Sequence, residues 1–71
     1  MRIKLDRVAD SAFILLGDEI PPGGAPRSVM CDLDVEQGAV ILLLSPEDRL
    51  VGLEILGASR VLPSEVLAQT A

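Results

Sequence analysis

Residues 39–56 read AVILLLSPEDRLVGLEIL. Six consecutive apolar residues (39–44) lead into Ser45-Pro46-Glu47-Asp48, and a largely alternating segment (49–56) follows. Short apolar or alternating runs bounded by serine, proline and aspartate read as β-strands, and two of them joined by such a turn read as a β-hairpin. In the second strand the pleat puts Leu50, Gly52, Glu54 and Leu56 on one face and Val51, Leu53 and Ile55 on the other.

Working outward, residues 2–5 alternate polar and apolar, as a half-buried strand does. Asp6 is placed to cap a single turn, its carboxylate accepting from backbone N–H groups that the turn leaves free. Residues 12–16 form a buried strand that Gly17-Asp18 ends. Residues 20–26, IPPGGAP, are a flexible loop: three prolines lack N–H donors, and Gly23 and Gly24 are costly to order. Residues 28–35 alternate, with Val29, Cys31, Leu33 and Val35 on the apolar face and Ser28, Met30, Asp32 and Asp34 on the other. Glu36-Gln37-Gly38 turns the chain into the hairpin. After Gly57-Ala58-Ser59-Arg60 a short helix is expected over about 62–69, with Pro63 tolerated in its first turn. Short connections suit antiparallel pairs. The expected fold is α+β and mostly β: an antiparallel five-stranded meander with a short C-terminal helix, in one small domain over residues 1–71.

A domain of this size buries only about 60% of the surface its unfolded chain exposes. Small scaffolds therefore usually add a disulfide, a metal or a partner chain. Cys31 is the only cysteine and there is no histidine, so an internal disulfide and the usual zinc site are both excluded. Oligomerisation remains. A one-sided antiparallel sheet alternates apolar and polar, yet residues 12–16 and 39–44 are apolar on both faces. A helix of eight residues, about 12 Å long, covers part of one face. A second copy of the chain is the expected cover for the rest, in a homodimer built on these strands. Val40, Ile41, Leu42, Leu43, Val51, Leu53, Ile55, Phe13 and Leu15 are the expected core.

Net charge is −5, and the six basic residues are scattered, which argues against nucleic acid as a partner. The longest apolar run is far below the roughly 20 residues a membrane helix needs. No leader-like segment follows the N-terminus, and the lone cysteine suits a reducing compartment, so a cytoplasmic location is expected.

Two segments carry a family resemblance. Leu5-Asp6-Arg7-Val8-Ala9-Asp10-Ser11-Ala12-Phe13-Ile14 is similar to an opening motif of tyrosine-Asp-x-x-Ala-Asp-x-aromatic-aliphatic. Leu44–Leu56, closed by Ala58-Ser59, is similar to an ending that reads Asp-x-x-Gly-x-aliphatic-Val-Gly-Ile-Glu-Ile-Leu-x-Ala-Ser. Together they resemble the small prokaryotic domain of unknown function family 2283, over residues 1–62. Leu5 replaces the family's aromatic and Asp48 its turn glycine, which Asp can replace because it tolerates the left-handed conformation. The Pro-Pro-Gly-Gly insert lengthens one connection. The resemblance implies a small β-rich fold and no particular activity.

Few residues have catalytic character. Asp32, Asp34 and Glu36 are spaced like the start of a calcium loop, but Gln37 stands where that loop needs glycine and Leu43 where it needs glutamate. On a strand such spacing is a solvated acidic face. Gly23-Gly24 lies in no phosphate-binding pattern, and no cofactor is expected. Cys31 reads as a small hydrophobe on an apolar face. No serine lies in a nucleophile motif. Glu54 stands out, a carboxylate between apolar neighbours with Arg49, Lys4 or Arg60 as candidate cations.

The expected function is accordingly non-catalytic. The chain reads as a self-associating protein-interaction module, with Glu54, Gly52, Phe13, Ile41 and Leu43 as its interaction residues. An antitoxin-like role against a small basic protein is one form of this. The alternative is a small-ligand or metal-binding protein using Glu54 or the acidic strand Asp32/Asp34/Glu36.

Overall fold

The turn at Ser45–Asp48 closes as a network built on one serine. Ser45 donates its N–H to the Arg49 carbonyl at 2.8 Å and accepts from the Asp48 N–H at 2.9 Å. Its hydroxyl accepts from the Glu47 and Arg49 N–H groups at 3.3 and 3.1 Å. Asp48 takes the left-handed conformation, with φ 62°. The computed structural model of the protein describes residues 1–17, 19–33, 36 and 38–69. In it β1 spans Arg2–Asp6, β2 Ser11–Leu15, β3 Arg27–Asp32, β4 Ala39–Leu44 and β5 Leu50–Leu56. Two short helices follow, α1 over Ala58–Val61 and α2 over Ser64–Gln69.

All pairs are antiparallel, in one open sheet of order β1-β2-β5-β4-β3. The α+β, mostly β class and the five antiparallel strands hold. The strand order is not that of a simple meander, because β5 inserts between β2 and β4. The sheet joins a β1–β2 hairpin to a β3–β4–β5 meander. The connection over 16–26 crosses from one unit to the far edge. That is three strand spacings, about 14 Å, well within the reach of so many residues. The arrangement gives apolar β2, β4 and β5 two neighbours each. The polar ends of β3 (Arg27, Ser28, Asp32) stay at an edge, where exposed charge discourages further pairing.

The outer strands differ from their sequence reading. β3 ends at Asp32, and all six of its residues are exposed. Cys31 is therefore exposed, not a buried hydrophobe: an edge strand has no neighbour on one side, and its apolar face reaches past the helices. Asp34 and Val35, placed on that strand by alternation, lie outside the described residues, as do Asp18 and Gln37. Segment 20–26 contains a turn in which Gly24 donates to the Pro21 carbonyl at 2.8 Å.

The single helix expected over 62–69 is two helices. A residue before proline is driven to extended backbone, and Leu62 has φ −93° and ψ 143°, which ends α1 at Val61. Pro63 then precedes α2 and does not occupy its first turn. Its carbonyl accepts from the Val66 and Leu67 N–H groups at 3.0 and 3.1 Å.

Both helices pack on one face of the sheet. Ala12, Ile55 and Ala58 are buried there, with Leu5, Ile14, Val40, Leu53, Val61, Leu62 and Leu67 packed around them. Alanines at 12 and 58 let the helical turn approach the sheet closely. The expected core is thus corrected in part: Leu15 is buried as expected, at 4% exposure, but on the opposite face, and Phe13, Ile41 and Leu43 share that face and are only half-buried, since the register partners of these four are Glu54 and Gly52. No helix among the described residues is long and apolar enough to cross a membrane.

Ile55 is 4% exposed at the centre of the helix-side cluster. Ile55→Ala should lower stability by about 2–5 kcal/mol, the usual cost of truncating a buried aliphatic side chain. Urea unfolding is the check, and a change of less than about 0.5 kcal/mol, the usual scatter of surface substitutions, would contradict this placement.

Candidate functional site

The helix-free face is organised as rows across the strands. Its middle row runs Lys4, Phe13, Glu54, Ile41, Met30 from β1 to β3. The next row runs Arg2, Leu15, Gly52, Leu43, Ser28. All five interaction residues expected from the sequence, Glu54, Gly52, Phe13, Ile41 and Leu43, therefore lie together on one face in two adjacent rows. Cross-strand neighbours in such rows have Cβ atoms about 5 Å apart, so the side chains form one surface.

Gly52 is the low point of that surface. A Cβ there would stand 3.0 Å from the Ile14 carbonyl oxygen and 3.3 Å from Ile20. Ile20 thus folds from the β2–β3 connection onto the second row, and Leu15 beside it is buried. Glu19 is held nearby by Arg2 at 3.4 Å. Between this segment and the strands lies an open cavity of about 230 Å³ lined by Lys4, Phe13, Leu15, Glu19 and Ile20. In the middle row, Lys4 and Phe13 line the cavity beneath this segment. Phe13, Glu54 and Ile41 are half-buried, and Met30 is 59% exposed.

Among the described residues, the Glu54 carboxylate makes no hydrogen bond or ion pair. Of its candidate cations, Arg60 lies 3.9 Å from Asp10. Lys4 shares Glu54's row but sits two strands away, with Phe13 between them. The surface is thus apolar, with an unpaired carboxylate at its centre and an ammonium at its edge.

The other polar groups hold structure. Asp32 and Glu36 are exposed, Asp34 is outside the described residues, and no group of three His, Cys, Asp or Glu that could hold a metal occurs among the described residues. Asp6 does cap its turn, its carboxylate accepting from the Val8 and Ala9 N–H groups at 3.1 Å each. Asp10, at φ 52°, fastens that turn to α1. Its carboxylate accepts from the Ser59 N–H at 2.9 Å and the Ser59 hydroxyl at 2.7 Å, and its carbonyl from the Ala58 N–H at 2.9 Å. The two segments that carry the family resemblance therefore meet in space.

Sequence reasoning missed the Asp10–Ser59 clasp, Ile20's place over Gly52, and the shared row of Lys4 and Glu54. The first had a signal, an aspartate after the capped turn and a serine in the second position of a helical turn. The other two depend on β2 pairing with β5, which no local pattern encodes. No family model matches the chain, and no curated protein or solved structure matches it at significant similarity.

The Ser59 hydroxyl and then the Ser59 N–H lower the pKa of Asp10 below its ordinary 3.8, desolvation opposes them, and the Arg60 charge adds a lesser lowering. A depressed carboxylate stabilises the fold fully above its unfolded value and loses that effect as pH falls through its folded value. Wild type should be more stable than Asp10→Asn at neutral pH, and the gap should close at acid pH, below the depressed pKa. Urea midpoints measured across that range test this, and a gap independent of pH would contradict it.

Proposed function

We propose that this chain is a non-catalytic protein-interaction module that self-associates as a homodimer through its helix-free sheet face. The observation that carries the reading is the coincidence of Phe13, Ile41, Leu43, Gly52 and Glu54 on one surface that the chain's own helices do not reach. A small sheet with one uncovered apolar face loses stabilisation that a second layer would supply. The molecule measures 33 × 25 × 18 Å, so its broad side, on the order of 800 Å², has room for an interface at the small end of the specific range. The resemblance to domain of unknown function family 2283 is consistent with such a module and brings no reaction with it. The lack of histidine, and the structural engagement of Ser45 and Ser59, also favour a binding role over catalysis.

Sedimentation equilibrium at high micromolar concentration tests the proposal. The expected mass is twice 7.5 kDa. A mass of 7.5 kDa throughout would overturn it.

A further inference from the structure

The middle row specifies how two copies would meet. In a two-fold interface the same patch serves both protomers, so a residue i that meets j requires that j meets i. Lys4 and Glu54 are opposite charges in one row, one strand to either side of Phe13. Their backbones are therefore about 10 Å apart. A two-fold axis lying between two facing sheets and running along β2 exchanges these two positions. We infer that the chain dimerises face to face about this axis, each Lys4 meeting the partner's Glu54 on either side of a central contact between the two Phe13 rings. The inference rests on the self-association proposed above and adds its geometry.

Other axes fit the charges worse. An axis along β5 stacks Glu54 on the partner's Glu54, and one along β1 stacks Lys4 on the partner's Lys4. An axis along the row, perpendicular to the strands, opposes like charges at both positions. Only the axis along β2 pairs them, and it keeps the strands nearly aligned, as face-packed sheets prefer. Facing sheets lie about 10 Å apart, a gap that a lysine and a glutamate reaching from opposite sides can close at the middle row, while the Glu19–Ile20 segment of each copy, seated over the next row, makes the sheets splay there. The open cavity beside Lys4 leaves room for an incoming side chain. Glu19 on its rim is already engaged by Arg2. In this arrangement the aliphatic stem of the partner's Lys4 lies along Ile41 while its ammonium sits on Glu54, as long basic side chains do on apolar surfaces.

Only β1, β2 and β5 of the two sheets overlap, so the interface is at the small end of specific interfaces, below about 1,200 Å² in total. In such an interface two reciprocal charge pairs fix the register and reject misaligned docking.

Charge reversal tests this. Lys4→Glu places two glutamates opposite each other at both symmetric positions, and Glu54→Lys places two lysines there. Each variant alone should self-associate at least about tenfold more weakly than wild type. Mixed together, the two should form a heterodimer of near wild-type affinity, because each cross-protomer position again sets a lysine against a glutamate, one pair in its native polarity and the other reversed. A pair made within one protomer would not be restored by mixing. Lys4 is exposed on an edge strand, so Lys4→Glu and Lys4→Arg should both fold and decide the question even when Glu54→Lys does not. Lys4→Arg should dimerise like wild type, and Lys4→Glu should not. A wild-type dimer that tolerates Lys4→Glu, or single variants that dissociate and fail to combine, would overturn the paired geometry and leave self-association standing. A wild-type monomer would remove both.

Discussion

The structure depends on the position of β5 at the centre of the sheet. This strand pairs with β2 on one side and β4 on the other over nearly its whole length. Its pleat then divides the molecule. Ile55 and Leu53 go to the side where the helices pack, and Gly52 and Glu54 go to the side they leave open. Moving β5 by one residue against its neighbours would exchange these faces, placing a carboxylate against the alanines of the helix-side core. The irregularity between Leu43 and Leu44 adjusts the register near the Ser45 turn without disturbing this division.

The two faces are finished unequally. On the helix side, Gly57 at φ 72° turns the chain straight from β5 into α1, and Ala58 comes to rest on Ala12 and Ile55. The Asp10 carboxylate holds that turn in place from the other hairpin, so the clasp joins the two units of the sheet as well as closing the core. Among the described residues, the opposite side receives the Glu19–Ile20 segment, over the Gly52 row and beside Lys4 and Phe13. Seventy-one residues supply too little helix to cover both sides. The uncovered side carries the chain's one aromatic ring and its one mid-strand carboxylate.

Much of this was legible locally. The 39–56 hairpin, the pleat around Glu54 and the capping role of Asp6 follow from short-range chemistry, in which turn residues and alternation within one strand suffice. The left-handed Asp48, at φ 62°, agrees with the tolerance of aspartate for that conformation. The order of the strands was not legible, because the choice between β3 and β5 as the neighbour of β2 is made by burial across the whole sheet. The same limit hid the edge position of Cys31 and the row shared by Lys4 and Glu54. The break between α1 and α2 could have been read from the sequence, since Pro63 forces Leu62 out of the helical region.

In the proposed dimer the helix-free faces of two copies meet at Phe13. Because Phe13 is the only aromatic residue, every aromatic-proton signal in an NMR spectrum of the protein belongs to it. In a dimer prepared from one isotope-labelled and one unlabelled protomer, filtered nuclear Overhauser spectra report only contacts between protomers. The expected result is cross-protomer signals from the Phe13 ring to the partner's Phe13 and to the side-chain methylenes of the partner's Lys4. Cross-protomer signals confined to residues of α1, α2 or the helix-side cluster, with none from Phe13, would contradict it.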